Sequence, residues 1–73
     1  MQTIDFELDR EFIELNQLLK LVGLASSGGE GKQIVASGTV KVDGETESRK
    51  TAKIRAGQVV ETGGQRIRVV AAG

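Results

Sequence analysis

Apolar and polar residues alternate near the start of the chain. Ile4, Phe6 and Leu8 are separated by Asp5 and Glu7, a period of two that predicts a half-buried strand. The period then lengthens. Phe12, Leu15, Leu18, Leu19 and Val22 recur at helical spacing, with Asp9 placed to cap the helix and Glu11 suited to its first turn. Gly23 stands where a helix stop belongs, and the Leu18-Leu19 face reads as core. Ser27 and Glu30 have the spacing of a capping box at the head of a second, shorter helix. Gly28 and Gly29 leave its first amides sterically open, Ile34 and Val35 are its large apolar residues, and Gly38 ends it. Gly29 and Gly31 each weaken this helix by about 1 kcal/mol relative to alanine. It is therefore predicted to depend on packing against the first helix.

Alternation returns after Gly38. Val40 and Val42 share one face, Thr39 and Lys41 the other, and Asp43-Gly44 is a two-residue hairpin signal. A tight hairpin sets Glu45 and Glu47 on the face of Val42 and Val40, so the strand over 45–48 is either an edge or bulged. The segment from Arg49 to Ile54 is basic, with Ile54 as its apolar anchor, and Ala56-Gly57 turns the chain. A second hairpin around Gly63-Gly64 places Val60 opposite Ile67 and Glu61 opposite Arg66, which makes Arg66 a cross-strand charge partner. Ala71-Ala72-Gly73 is expected to fray. The order of elements predicts an α+β domain over 1–73: two short helices packed on a small, mainly antiparallel sheet.

Composition narrows the chemistry. The 73 residues include no cysteine and no histidine, which removes disulfides, thiolate metal sites and the commonest general base. No cofactor and no metal are expected. A nucleophile would have only lysine or a carboxylate as its base, and the serines fall at caps and loops, so the chain is read as non-catalytic. No run approaches the roughly 20 apolar residues of a membrane helix. The first residues do not read as a signal peptide, so a cytoplasmic location is expected. Ten acids balance ten bases, but unevenly. Asp5, Glu7, Asp9, Glu11 and Glu14 crowd the start against Arg10 alone, whereas Arg49, Lys50, Lys53 and Arg55 follow one another without an acid.

Gly28-Gly29-Glu30-Gly31-Lys32 looks like a phosphate loop but lacks the spacing and the Lys-Ser/Thr ending of a P-loop. What remains is a helix start with open amides, which suits an anion such as an RNA phosphate. There is no Tyr or Trp, and both phenylalanines are expected in the core, so base stacking is not expected. Nucleic acid would be met through Lys, Arg and backbone amides.

Leu15-Asn16-Gln17-Leu18-Leu19, then Ser27-x-x-Glu30-Gly31-Lys32-x-Ile34-Val35-x-x-Gly38-x-Val40-x-Val42-Asp43-Gly44, then Ile54-x-Ala56-Gly57-Gln58-Val59-Val60 resembles the alpha-L RNA-binding motif. That domain type is known from ribosomal small-subunit protein S-four, and the small stand-alone YbcJ-like bacterial subgroup is most similar. The resemblance runs from about Phe12 to Glu61. It implies two antiparallel helices on a small sheet and binding of structured RNA, of ribosomal or transfer-RNA type, across the second helix's start and the adjoining strands. Carried over by position, the surface comprises Ser27, Gly28, Lys32, Lys41, Arg49, Lys50, Lys53 and Arg55. The implied setting is a monomer that meets structured RNA, with ribosomal or RNA-processing proteins as possible partners and no membrane. Glu14 and Gly28 stand where many members carry a basic residue, and the pI is about 6.2, so modest affinity or an auxiliary role is expected. Two other readings stay open. One is a β-grasp sulfur carrier, although the chain ends Ala72-Gly73 rather than Gly-Gly and the second helix has no place in that pattern. The other is a protein-interaction module that uses the acidic first strand.

Overall fold

In the computed structural model, which describes residues 2–72, the alternating start forms β1 (Gln2–Leu8). Then follow β2 (Ile13–Glu14), α1 (Leu15–Leu21) and α2 (Gly28–Ala36). The rest of the chain is strands: β3 (Lys41–Val42), β4 (Glu45–Thr46), β5 (Lys53–Ile54), β6 (Val59–Thr62) and β7 (Gln65–Ala71). One sheet has the order β1-β7-β6-β3-β4, and β2 with β5 forms a separate two-stranded ribbon. Two helices thus lie on a mostly antiparallel sheet, the α+β arrangement that the hydrophobic pattern predicts. The core joins Leu15, Leu18 and Leu19 of α1 and Val35 of α2 to Val60 and Ile67 of the sheet and to Val40 just before β3. Among the described residues no helix is long and apolar enough to cross a membrane.

Local signals translate directly where the turn chemistry is strong. Asp43 and Gly44 both take positive φ, at 52° and 84°, the type I′ geometry that suits strand twist. The register follows, with Val42 opposite Glu45 and the Glu47 amide donating to the Val40 carbonyl at 2.9 Å. Strand β4 is regular and lies at the sheet's edge, which resolves the choice between edge and bulge and leaves Glu45 in solvent. Asp43 also holds this turn to β6, its Oδ1 accepting from the Val59 amide at 3.0 Å. At the second hairpin Val60 faces Ile67 and Glu61 faces Arg66, with a 3.6 Å ion pair. The second helix is formed, so the β-grasp reading falls.

Four expectations need correction. The first helix begins at Leu15 rather than near Asp9. Ile13 is buried and extended because it pairs with Ile54, and Glu14 at the helix start makes no side-chain cap. Asp9 instead accepts from the neighbouring Arg10 at 3.3 Å. Phe12 therefore leaves the helical face and is half-buried, outside the core cluster. The capping box is offset. Ser27 Oγ accepts from the Glu30 amide at 3.1 Å, but the Glu30 carboxylate takes the amide and hydroxyl of Ser26, each at 3.0 Å. Finally, the C-terminal stretch is tied down through Ala72. Ala71 pairs with Leu8 in β7 alongside β1, and the Ala72 amide donates to the Leu8 carbonyl at 3.0 Å. The part of the expected fraying that concerns Gly73 lies outside the described residues.

Candidate nucleic-acid interface

The basic segment is fixed from both of its sides. Its apolar residues, Ala52 and Ile54, are buried, and β5 pairs with β2 immediately before α1. The segment's carbonyls then serve the helix. The Leu15 amide donates to the Ala52 carbonyl at 2.9 Å and the Asn16 amide to the Lys50 carbonyl at 3.2 Å. The first amides of a helix have no intrahelical acceptor. Backbone from 50–52 fills that need, which is why α1 starts without a capping side chain.

Asn16 carries the junction further. Its side chain is buried, and Nδ2 donates to the carbonyl of Gly28, the first residue of α2, at 3.4 Å. The backbone of α2 also presses on it: a Cβ at Gly31 would lie 2.5 Å from the Asn16 carbonyl oxygen. One residue of α1 thereby holds the start of α2 and the basic segment together. At that helix start Ser27 Oγ takes the Glu30 amide, and the amides of Gly28 and Gly29 stay outside the helix's own hydrogen bonds. The Glu30 carboxylate stands at the same end and offsets part of the helix's pull on an anion. The positive charge has to come from elsewhere.

Ion pairing sorts the cations. Arg10, Arg49, Arg66 and Arg68 are paired, to Asp9, Glu47, Glu61 and Asp5. Among the described residues Lys20, Lys32, Lys41, Lys50, Lys53 and Arg55 have no such carboxylate partner. Arg49, Lys53 and Arg55 line one concavity with Thr51 and Ala52. Arg49 reaches it while gripped by Glu47, which accepts from its Nη2 at 2.9 Å, its Nε at 3.1 Å and its amide at 3.0 Å. Those hydrogen bonds hold the Glu47 carboxyl down at about 2. The Arg49 side chain is still 79% exposed, so it can meet a ligand from solvent. Lys53 Nζ and Arg55 Cζ lie 4.9 and 5.9 Å from the centre of the Phe12 ring.

The eight residues proposed from sequence therefore divide. Arg49, Lys53 and Arg55 share the concavity, while Gly28 and the Lys50 backbone meet through Asn16, and Ser27 caps the same helix start. Lys32 is exposed on α2. Lys41 is exposed in the cross-strand row of Thr46, Glu61 and Arg66, on the sheet face opposite to buried Val40 and Val60. Asn16 and Phe12 were not singled out as site residues from sequence. For Asn16 the signal was present: an amide side chain on the buried face of a helix, beside Leu15 and three residues before Leu19.

Two helices on a mostly antiparallel sheet, with a basic ribbon fixed beside the second helix's start, define an alpha-L domain. The chain belongs to the S4 domain family, whose model matches residues 6–70. YbcJ of Escherichia coli (strain K12) is 51% identical over 59 residues, covering 81% of this chain and 84% of that protein. RlbA of Bacillus subtilis (strain 168), named as a probable ribosome maturation protein, is 39% identical over 57 residues, covering 78% of this chain and 80% of that protein. The solution structure of Escherichia coli YbcJ is described as revealing an alpha-L motif involved in RNA binding. It matches with a TM-score of 0.66 and 45% identity, covering 97% of this chain and 89% of that one.

Proposed function

We propose that this chain is a non-catalytic RNA-binding module that takes structured RNA through phosphate and shape contacts. The observation that carries the reading is the Asn16 junction, which fixes a helix start with open amides against a segment of unpaired cations. Phosphates approaching that junction gain charge from Lys50, Lys53 and Arg55 and donors from α2. The relatives support it, one described as holding an RNA-binding motif and another named for ribosome maturation. Ribosomal RNA is accordingly the first RNA to try and transfer RNA the second. The cytoplasm, a monomeric state and ribosomal or RNA-processing partners complete the proposal. Lys32 and Lys41 are assigned peripheral contacts, because neither belongs to the basic segment that the Asn16 junction holds against α2.

The test is a gel shift with a labelled ribosomal-RNA stem–loop. The triple substitution Lys50→Glu, Lys53→Glu, Arg55→Glu should abolish the shift and leave the circular dichroism unchanged. Arg49 is kept, because a carboxylate there would face Glu47. Binding that survives the triple substitution would move the interface elsewhere. Crosslinking in cells that recovers no RNA would remove the function.

A further inference from the structure

The antiparallel register of β2 and β5 has Ile13 opposite Ile54 and Glu14 opposite Lys53. Extended by one residue, it sets Phe12 opposite Arg55. Ile13 and Ile54 point into the core, so Phe12, Glu14, Lys53 and Arg55 share the outward face of the ribbon. Lys53 thus has a carboxylate directly across from it, yet its ammonium forms no ion pair with Glu14 and instead lies 4.9 Å from the centre of the Phe12 ring. The guanidinium of Arg55 is 5.9 Å from the same centre. Two like charges gathered at one ring repel each other. The negative face of an aromatic ring attracts cations and offsets that repulsion. The ring is half-buried on that face, outside the core cluster.

We infer that Phe12 is a positioning residue for RNA. It holds Lys53 and Arg55 side by side as a ready-made clamp for phosphate oxygens on the outward face of the ribbon. Two long cationic side chains otherwise lose much of their rotamer freedom on binding, and the ring takes up part of that loss beforehand. Phe12 contacts the clamp and not the RNA. The inference rests on the RNA-binding reading above.

The test is a double-mutant cycle read by fluorescence anisotropy with a fluorescein-labelled ribosomal-RNA stem–loop. Phe12→Leu keeps an apolar side chain but removes the ring. In the otherwise unaltered chain it should weaken binding about five- to tenfold, the scale of two exposed cation–ring contacts. In a Lys53→Gln, Arg55→Gln background the same substitution should change affinity by less than about twofold, because the groups it positions are gone. Phe12→Trp, with a better ring for cations, should bind at least as well as the parent. Equal losses from Phe12→Leu in both backgrounds, or no loss in either, would overturn the inference and leave the RNA-binding reading intact. Should the unaltered chain itself fail to bind, the functional reading falls, and this inference with it. If Phe12→Leu does not fold by circular dichroism, Phe12→Met carries the same comparison.

Discussion

A methyl group added at Gly31 would meet the Asn16 carbonyl oxygen at 2.5 Å, whereas one at Gly29 has nothing nearer than Ser27 Oγ at 3.8 Å. Both lie on the same short helix, and helix propensity alone favours alanine at either by about 1 kcal/mol. Only Gly31 has a structural reason to be glycine. Gly29→Ala should therefore stabilise the domain by roughly 0.5–1 kcal/mol in urea denaturation. Gly31→Ala should destabilise it by about 1–3 kcal/mol, because backbone must shift to admit the methyl group. A stabilising Gly31→Ala would refute the close approach of the helices at Asn16. Glu47 makes a second prediction at this scale. Hydrogen bonds from Arg49 hold its carboxyl at about 2, against an ordinary value of 4.5. A depressed native value contributes stability above the unfolded value and loses it as the pH falls through the native one. The advantage of the parent over Glu47→Gln should thus be complete above about pH 5 and vanish toward pH 2. Denaturation curves at the two extremes check it, and a gap that persists at pH 2 would exclude the pair as its source.

Elements whose signals are local were legible, and elements made by distant partners were not. The bounds of α2 follow from Ser27 and Gly38, and both hairpins follow from their turn residues, because each signal acts within a few residues of the structure it makes. The ribbon of β2 and β5 escaped. Each strand is two residues long, the two are forty residues apart in the chain, and nothing in Ile13-Glu14 distinguishes it from the first turn of a helix. The same oversight started α1 too early and buried Phe12 too deeply. The candidate interface suffered in the same way: its charges could be read from the segment around Arg49–Arg55, but not the junction that places them, since Asn16 acts through partners 12 residues and more away. Ser27→Ala should cost about 1 kcal/mol through the lost cap. Ile54→Ala should cost about 2–4 kcal/mol through the cavity it leaves, and it should weaken RNA binding more than Ser27→Ala does, because Ile54 seats the strand that carries Lys53. Equal effects of the two on binding would argue that the ribbon plays no part in it.

Across the whole molecule the net charge is zero, but the charges are segregated by pairing rather than spread evenly. Asp5 is taken up by Arg68 and Glu61 by Arg66, which neutralises the exposed face of the sheet. The acidic first strand is thereby partly spent within its own sheet. The unpaired cations of the 50–55 segment are left to dominate the ribbon side. The logarithm of RNA affinity should therefore fall linearly with the logarithm of salt concentration despite the neutral total. Replacing Lys50, Lys53 and Arg55 with glutamine should make that slope shallower by about 2–3. An unchanged slope would show that these residues meet no phosphates.

The pairing of β1 with β7 has a mechanical consequence. The two strands run parallel, in register from Gln2 with Gln65 to Leu8 with Ala71. The start of β1 and the end of β7 thus lie at opposite ends of one ladder. A pull on Gln2 and Ala71 drags these strands past each other lengthwise, and the whole ladder bears the load at once. A pull applied across the β6–β7 hairpin, from Val59 and Arg68, opens its bonds one pair at a time. Single-molecule stretching should find the first geometry far more resistant than the second, which would make a small, thinly stabilised domain stiff along its own axis.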